Sequence, residues 1–487
     1  PLGVLTVVSG VSGSGKTSLV KKILNPALSR HFDVYTEKPG AFSELKGDFN
    51  SGSESFAAYT PEMLDYCIQD TAVTNKLYRK IMEKNFSQLA LDLEAEIHTL
   101  LLQQQEHGFD FNVQEAQALY SRLAQRRSDI EDELVSTFEP TIIELKTKTK
   151  TIPFNPASRM QIADRLMKRG WKPKAFTDSG EPKVDETVLS GIDMPEAKLL
   201  NEYLLLNKRI GQLATGKQAW LKMEKGGKIH GRVNHMGAVT SRCTHSNPNT
   251  AQIPSVGAPY GKECRELFIS PSGYSLLGAD ASGLELRCLA HYMAAYDDGS
   301  YADVVLNGDI HTANQMAAGL ESRNQAKTFI YALIYGAGDE KLGKVVEGNT
   351  TDGRRAREYF FDNNPAFKSL RDRVTRAAGK KFLKGLDGRK LYIRNNHAAL
   401  NTLLQGAGAI VMKKALTILD GLLKLNTIDY KFVANIHDEW QIEVKESQAD
   451  FVGEMAVKSF KQAGEFYNLR CPLDGEYKIG RDWSETH

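Results

Sequence analysis

The sequence predicts a mixed α/β fold (α+β) in which helices are the majority and short strands are few. The chain has 487 residues and is 41% hydrophobic, so it can bury a substantial core and divide into several globular units. Helical periodicity dominates residues 157–225 and returns after residue 280 until about 425. Short strand-like runs with Pro and Gly turns fill residues 226–280, and residues 430–483 have the pattern of a hairpin, a helix and a final strand.

The composition excludes several classes of protein. Lys and Arg total 62 against 60 Asp and Glu, so the net charge of +2 gives no global sign of nucleic-acid binding and a DNA footprint must be local. The five cysteines have no CxxC spacing, which argues against a zinc cluster and a disulfide framework and fits a reducing cytoplasm. No apolar run approaches the roughly 18 to 20 residues of a membrane span, and the amino end does not resemble a signal peptide.

The first fifty residues contain a phosphate-binding pattern between a strand-like run and an amphipathic stretch. The residues that match GxxxxGK[ST] are Gly10, Gly15, Lys16 and Thr17. Backbone N–H groups of such a loop cradle phosphates, while its lysine and hydroxyl handle charge and Mg²⁺. The sequence supplies no separate strand ending in the aspartate that an ATPase also needs. We therefore expect a P-loop fragment over residues 1–48, and a P-loop ATPase or nucleotide kinase is the competing function.

The region after the P-loop is predicted to be mainly helical. Gly, Ser and Asp cluster in residues 47–55, which predicts a loop and a junction. Two helices follow at 61–83 and 87–106, and Gly108 is suited to cap the second. Residues 145–156 contain three lysines and two prolines and predict an exposed connector.

Two aspartates follow apolar strands that are far apart in the chain. Asp280 comes directly after the strand Tyr274–Ala279 and is expected at an exposed strand tip. Asp438 lies near the turn of a predicted hairpin whose returning strand, Trp440–Val444, alternates between apolar and polar residues. If the two tips meet in one sheet, the carboxylates can hold a pair of Mg²⁺ ions about 4 Å apart. For either acid alone, an ordinary exposed turn residue is the commoner explanation.

A basic and aromatic stripe lies on a predicted helix. Arg323, Lys327, Tyr331 and Tyr335 are spaced four apart and share one helix face. The two cations can clasp a triphosphate, and the two rings offer surfaces on which a base can stack. His311, just upstream, can donate a further hydrogen bond to a phosphate. A solvated charged face that continues into a buried aromatic one is the commoner explanation for such a stripe.

Together these patterns resemble family A DNA polymerases, and in particular the replicative enzymes of short-tailed phages, from about residue 56 to His487. The stretch 280–287 resembles the family's motif A, 323–336 its motif B, and 437–439 its motif C. The resemblance implies a DNA-templated DNA polymerase for phage DNA replication, which extends a primer from deoxynucleoside triphosphates by two-metal nucleotidyl transfer. It also implies a location in the host bacterial cytoplasm.

The resemblance assigns roles to residues of this sequence. Those implied in binding two Mg²⁺ ions are Asp280, Ala281 and Asp438, of which the two aspartates are catalytic. Those implied in binding the incoming nucleotide are Glu285, as a steric gate against a ribose 2′-hydroxyl, His311, Arg323, Lys327 and Tyr331. Those implied in binding primer-template DNA are Arg242, Asn249, Gln252, Tyr335, Asn401, Gln405 and His437. Ser241 stands where the family usually has glycine.

A right-hand polymerase architecture follows from the resemblance. The implied parts are a P-loop fragment at 1–48, an exonuclease remnant at 49–94, a thumb at 95–222, the first part of a palm at 222–292, fingers at 293–400 and the second part of the palm at 401–487. Closure of the fingers after correct pairing would complete the site.

Three features depart from the family pattern. Asp70 resembles an acid of the proofreading 3′–5′ exonuclease, but residues 1–60 contain no Asp-x-Glu partner, so we expect that activity to be absent. The segment between Phe138 and Phe154 is too short for the insertion that recruits a thioredoxin-type processivity factor, so no such partner is expected. Residues 1–48 resemble an ATP site of the ATP-hydrolysing component of excinuclease, a DNA-repair enzyme. Contacts with other replisome proteins stay open.

Overall fold

The structure is a computed structural model that describes residues 61–144 and 149–487. The predicted P-loop, with Gly10, Gly15, Lys16 and Thr17, lies outside the described residues. None of the helices in the described residues is long and apolar enough to cross a membrane.

Two compact units divide the chain. The first unit contains the described residues up to Ala95, together with Met236–Arg242 and Cys288–Ile410. The second unit contains Glu96–His235, Cys243–Arg287 and Val411–His487. Each unit therefore collects segments that are distant in sequence.

Helices make up most of the described residues, as the periodicity predicts. They are α1 Pro61–Glu83, α2 Gln88–His107, α3 Val113–Thr137, α4 Arg159–Lys168, α5 Glu186–Ser190, α6 Pro195–Ile210, α7 Trp220–Met223, α8 Gly261–Arg265, α9 Leu284–Met293, α10 Ser300–Asn307, α11 Ile310–Ala318, α12 Arg323–Ile334, α13 Asp339–Val345, α14 Thr350–Asn363, α15 Pro365–Ala378, α16 Ala399–Leu425 and α17 Ala449–Phe466. A π-helical turn, Gly211–Thr215, continues α6.

Polar side chains fix where several of these helices begin. The residues whose side-chain oxygens accept a hydrogen bond from a backbone N–H of the first helical turn are Asn112, Ser158, Asp185, Asp309, Ser322 and Asn349. Each such cap satisfies an N–H group that has no partner within the helix and contributes about 1 kcal/mol.

The strands are short and all pair in antiparallel fashion. They are β1 Phe109–Asp110, β2 Thr141–Glu144, β3 Thr149–Ile152, β4 Lys228–Ile229, β5 Arg232–Asn234, β6 Thr244–Ser246, β7 Tyr274–Ala281, β8 Phe382–Lys384, β9 Lys390–Tyr392, β10 Tyr430–Ile436, β11 Glu439–Lys445 and β12 Gly475–Gly480. One sheet has four strands, in the order β10–β11–β7–β12. The predicted sequence of hairpin, helix and final strand after residue 430 is confirmed.

The four-stranded sheet is fixed by the core of the second unit. Trp440 stacks on Phe460 of α17, with 4.7 Å between ring centroids, so α17 covers one face of the sheet. Nearby, Phe268 is fully buried and contacts the rings of Phe109, Trp220 and Trp483. Fully burying side chains of this size stabilises the fold by about 1.5–3 kcal/mol each.

The core of the first unit is also aromatic. Phe329 of α12 packs against Phe360 of α14 with 5.9 Å between ring centroids, and Phe360 packs edge-on against Phe367 of α15. All three rings are fully buried. Because Phe329 faces inward, the opposite side of α12 is left for the basic and aromatic stripe.

Two local predictions are corrected by the structure. Residues 149–152, predicted as part of an irregular connector, form the exposed strand β3, because alternating Thr and a β-branched Ile suit extended backbone. The strand β11 was predicted to alternate, yet Glu439, Gln441 and Glu443 are buried as fully as the apolar residues between them. Their hydrogen-bond partners, described below, make that burial possible.

Candidate active site

The four-stranded sheet brings Asp280 and Asp438 together, as the sequence predicts. Asp280 is the penultimate residue of β7 and pairs directly with Glu439, the first residue of β11. Asp438 immediately precedes Glu439 in the two-residue turn between β10 and β11, and its carbonyl oxygen accepts a hydrogen bond from the Ala281 N–H at 3.1 Å. Adjacent residues of paired strands thus carry the two acids.

The surroundings of Asp280 differ from the exposed strand tip that was predicted. Its side chain is half-buried, because β11 and β12 flank β7 on both sides. Burial, followed by the charges of Asp438 and Glu439, raises the pKa of Asp280 to about 7 from 3.8. Two or three carboxylates that repel one another in a partly desolvated place favour a bound cation, so the donor set fits divalent metal.

Glu439 is buried next to this pair and is held by several donors. Its Oε1 accepts hydrogen bonds at 2.6 Å from the Trp483 indole N–H and from the Gln441 amide. Its Oε2 lies 2.7 Å from Nδ1 of His487. Burial opposes the charge of Glu439, but the bonds from His487, Trp483 and Gln441 outweigh burial and lower its pKa.

The stripe predicted on one helix lies on the outward side of α12. Arg323 and Lys327 are exposed and Tyr331 is half-buried, whereas Ala326 and Phe329 are buried on the other side. The predicted fourth member is corrected, because α12 ends at Ile334 and Tyr335 is its C-cap. Gly336 follows with φ = +76°, and a Cβ there would lie 2.3 Å from the carbonyl oxygen of His397.

Arg323, Lys327 and His311 are close enough to influence one another. Burial lowers the pKa of His311, and the positive charges of Arg323 and Lys327 lower it further. The Nδ1 of His311 is buried and has no hydrogen-bond partner among the described residues. A group of cations with an unused donor or acceptor is suited to an anion such as a triphosphate.

Asp309 orients Arg323 at this anion site. Its carboxylate caps α11 by accepting from the backbone N–H of His311 at 3.0 Å and of Thr312 at 3.3 Å. The same carboxylate accepts the Arg323 Nε–H at 2.7 Å. The bonds from Arg323 and from Thr312 hold the pKa of Asp309 well below its usual range. Because Asp309 is fixed by the cap, the carboxylate positions the guanidinium.

The residues assigned to motif A and motif C occupy defined backbone positions. Glu285 lies half-buried in the first turn of α9, and Ala281 is buried in β7. His437 is exposed in the hairpin turn with φ = +58°, which directs the chain into β11. Ser241 has φ = +62°, a conformation that glycine adopts without strain, and this accounts for the family's preference at that position.

Several residues assigned to DNA carry polar groups without partners. Asn401 and Gln405 lie half-buried on one face of α16, and the residues between them are buried. The side-chain oxygens of Asn401 and Asn249 are buried without a hydrogen-bond partner among the described residues. Gln252 is exposed beside Asn249 in the second unit, whereas Arg242 is half-buried in the first. Such orphaned acceptors suit contact with a ligand.

A second set of potential metal ligands lies in the second unit. His107, Asp110 and Glu443 offer ligand atoms that are all within 4.8 Å of one another. Lys228 approaches the same set, with its Nζ 2.6 Å from an Asp110 oxygen and 3.5 Å from the His107 ring nitrogen. An ammonium group therefore already neutralises part of this charge, and the set acts as an ion-pair network joining α2, β1, β4 and β11.

The sequence patterns missed the roles of Asp309, Glu439 and residues 483–487. Asp309 could have been found as an N-cap, since an aspartate directly before a helix commonly caps it. The contacts of Trp483 and His487 with Glu439 join residues more than 40 positions apart and leave no local pattern.

Antiparallel strands that present paired acids, with a separate basic helix face, are features of a nucleotidyl-transferring polymerase. A sequence model described as DNA polymerase family A matches residues 116–485. The chain is 38% identical to the DNA-directed DNA polymerase of Enterobacteria phage T3 and 37% identical to that of Escherichia phage T7, in each case over 88% of this chain and 77% of the phage protein. The chain therefore belongs to family A of the DNA polymerases and is of the phage type.

A solved structure has the same fold. It is the POL domain of Pol1 from M. smegmatis in complex with DNA primer-template and dNTP, with a TM-score of 0.70 and 21% identity, over 81% of this chain and 70% of that one. The likeness confirms the mixed α/β polymerase fold. None of these similarities favours the P-loop ATPase that the sequence left as an alternative.

The pKa of Asp280 makes stability depend on pH in the absence of metal. In the folded protein Asp280 keeps its proton up to about pH 7, whereas the unfolded chain releases it near 3.8, so its contribution to stability falls as the pH rises between these values. We expect Asp280→Asn to melt at a higher temperature than the parent protein near pH 8 in a chelator, because it avoids this loss.

The difference in melting temperature should shrink towards pH 5, where Asp280 of the parent is largely protonated. Differential scanning fluorimetry over a pH series measures it, with Asp178→Asn as a control at an exposed aspartate. Parallel melting curves for the parent and Asp280→Asn at every pH would contradict the electrostatic account.

Proposed function

We propose that Asp280 and Asp438 carry out two-metal nucleotidyl transfer in this chain, which is a DNA-directed DNA polymerase by its family. The observation that carries the proposal is the pairing of β7 with β11, which brings the two acids to neighbouring positions and raises the pKa of Asp280. Enzymes of the family depend on metal ions, and we assign two Mg²⁺ ions to these carboxylates, with Ala281 as a further ligand.

When bound, such ions lower the pKa of an attacking hydroxyl and stabilise the leaving group. The chain supplies oxygen ligands of the kind that Mg²⁺ prefers and a partly buried setting that strengthens their interaction with a cation. We assign the attacking hydroxyl to the 3′ end of a DNA primer and the leaving group to the pyrophosphate of a deoxynucleoside triphosphate. Base pairing with the template strand would then select the nucleotide.

We assign the triphosphate to the anion site of the first unit. Arg323 and Lys327 would contact its oxygens, and the unpaired Nδ1 of His311 supports a polar ligand at that place. Tyr331 would lie beside the sugar and the base. Glu285 would occupy the space that a ribose 2′-hydroxyl needs, which would favour deoxynucleotides.

The residues proposed to bind primer-template DNA are Arg242, Asn249, Gln252, Tyr335, Asn401, Gln405 and His437. The orphaned side-chain oxygens of Asn249 and Asn401 support this assignment. Asn401 and Gln405 on one face of α16 can contact base edges in the minor groove, where amides suit acceptors that all Watson–Crick pairs share.

The remaining assignments are proposals of the same kind. We divide the described chain into a thumb at 95–222, a palm at 222–292 and 401–487, and fingers at 293–400. Asp70 is exposed on α1, and the absence of a proofreading exonuclease and of a thioredoxin-type factor stays a prediction.

The first test concerns the metal ligands. We expect Asp438→Asn to lower the rate of Mg²⁺-dependent primer extension more than about a hundredfold, because charge stabilisation of the reacting groups is lost. DNA affinity should be nearly unchanged, since phosphate contacts lie elsewhere. Glu454→Gln, at an exposed position of α17, is the control for loss of an acid in the same unit. Extension by Asp438→Asn at the parental rate would refute the two-metal assignment.

A second test concerns the triphosphate. Lys327→Ala should slow single-turnover incorporation by roughly 10²–10³-fold, because a cation that stabilises negative charge at the phosphates is removed. Lys341→Ala removes an exposed lysine from the neighbouring helix α13 and should leave the rate unchanged. Equal rates for the two variants would remove Lys327 from the site.

A third test concerns the choice of sugar. Glu285→Ala should raise ribonucleotide incorporation relative to deoxynucleotide incorporation by about tenfold or more, because the space for a 2′-hydroxyl is opened. Glu285→Gln keeps the size of the side chain and should keep the parental ratio. Competition between the two nucleotide types in a primer-extension assay gives this ratio, and an unaltered ratio for Glu285→Ala would exclude the gate.

A further inference from the structure

A buried chain of hydrogen bonds leads from residues 483–487 to the acid beside the metal pair. The Thr486 hydroxyl donates to the Gln441 side-chain oxygen at 2.7 Å, and the Gln441 amide nitrogen donates to Glu439 at 2.6 Å. Thr486 is 4% exposed, Gln441 0% and Glu439 6%, so water cannot replace these bonds freely.

The chemistry of the chain fixes the direction of every bond in it. The ionised carboxylate of Glu439 can only accept, so the Gln441 side chain must turn its nitrogen towards Glu439 and its oxygen towards Thr486. The Thr486 hydroxyl stabilises that orientation by donating to the oxygen. If the amide turned over, two oxygens would face each other in a buried place.

Glu439 has a reason to need such restraint. It pairs directly with Asp280 across β11 and β7, so the two side chains lie on the same face of the sheet. An unrestrained carboxylate at this position could reach the place where the Asp280 and Asp438 carboxylates meet. Its two oxygens are instead held by Gln441, Trp483 and His487.

The segment that provides these donors is tightly seated. A Cβ at Gly278 of β7 would lie 2.1 Å from the carbonyl oxygen of Thr486, so this approach requires glycine. The Trp483 ring lies under the Arg265 guanidinium, with 4.6 Å from Cζ to the ring centroid. The Arg265 Nε–H in turn donates to the carbonyl oxygen of Pro254 at 2.9 Å.

We propose that Thr486 and Gln441 are positioning residues that keep the Glu439 carboxylate turned towards residues 483–487 and away from the Asp280–Asp438 pair. This inference rests on the proposed function of that pair. Glu439 then contributes a fixed negative charge beside the metal ligands without joining them. Thr486 acts on the reaction only through Gln441 and Glu439.

The test compares two substitutions of similar size at one buried position. Thr486→Val removes the hydroxyl and keeps the shape of the side chain, whereas Thr486→Ser keeps the hydroxyl. We expect Thr486→Val to lower the single-turnover incorporation rate at saturating deoxynucleotide about tenfold, since small misplacements at a reacting centre are costly. The dissociation constants for deoxynucleotide and primer-template should stay within about twofold, and Thr486→Ser should keep the parental rate.

A double-mutant cycle with Gln441→Leu separates positioning from general stability. If Thr486 acts through Gln441, adding Thr486→Val to Gln441→Leu should lower the rate no further, whereas independent structural effects would multiply. The Mg²⁺ concentration for half-maximal rate should change in Thr486→Val and stay parental in Thr486→Ser.

Two outcomes would overturn the inference. One is a rate for Thr486→Val within about twofold of Thr486→Ser. The other is a lower melting temperature with equal losses in rate and in DNA affinity, which would make Thr486 merely structural. Both leave the proposed function standing as long as Asp438→Asn remains inactive, so failure of the inference and failure of the proposed function are distinguishable.

Discussion

The pairing of β7 with β11 is the interaction on which the rest of the site depends. Its register sets Glu439 opposite Asp280, and the turn before Glu439 then leaves Asp438 beside the end of β7. A shift of one residue would move Glu439 and Gln441 to the opposite face of the sheet. The packing of Trp440 on Phe460 opposes such a shift, because the ring would lose its place against α17. Hydrophobic packing on one face therefore fixes the electrostatics of the other.

Two opposite electrostatic solutions lie side by side in this sheet. Asp280 and Asp438 repel each other, and the raised pKa of Asp280 records that repulsion. Glu439 is buried more deeply than Asp280 and yet has a lowered pKa, because donors surround it. Burial alone thus does not decide whether a carboxylate is charged, and the supply of hydrogen-bond donors does.

Much of the fold was predictable because the relevant signals are local. The periodicity of α1 and α2 and the hairpin of β10 and β11 were predicted within a residue or two of their observed ends. The aspartates also lie where strand ends predicted them. The burial of Glu439 and Gln441 was not predictable, because alternating polar residues in a strand normally indicate an exposed face. Their partners belong to a segment more than 40 residues away.

The carboxylate of Asp309 has a consequence for which anions the first unit retains. Arg323 is already paired at 2.7 Å, so an arriving anion must share the guanidinium with a carboxylate that the cap of α11 holds in place. A small anion with a single point of contact gains little from such a shared cation. A polyanion that also reaches Lys327 and His311 gains from all three groups at once. The built-in counterion therefore acts as a filter that weakens retention of inorganic phosphate more than retention of a longer phosphate chain.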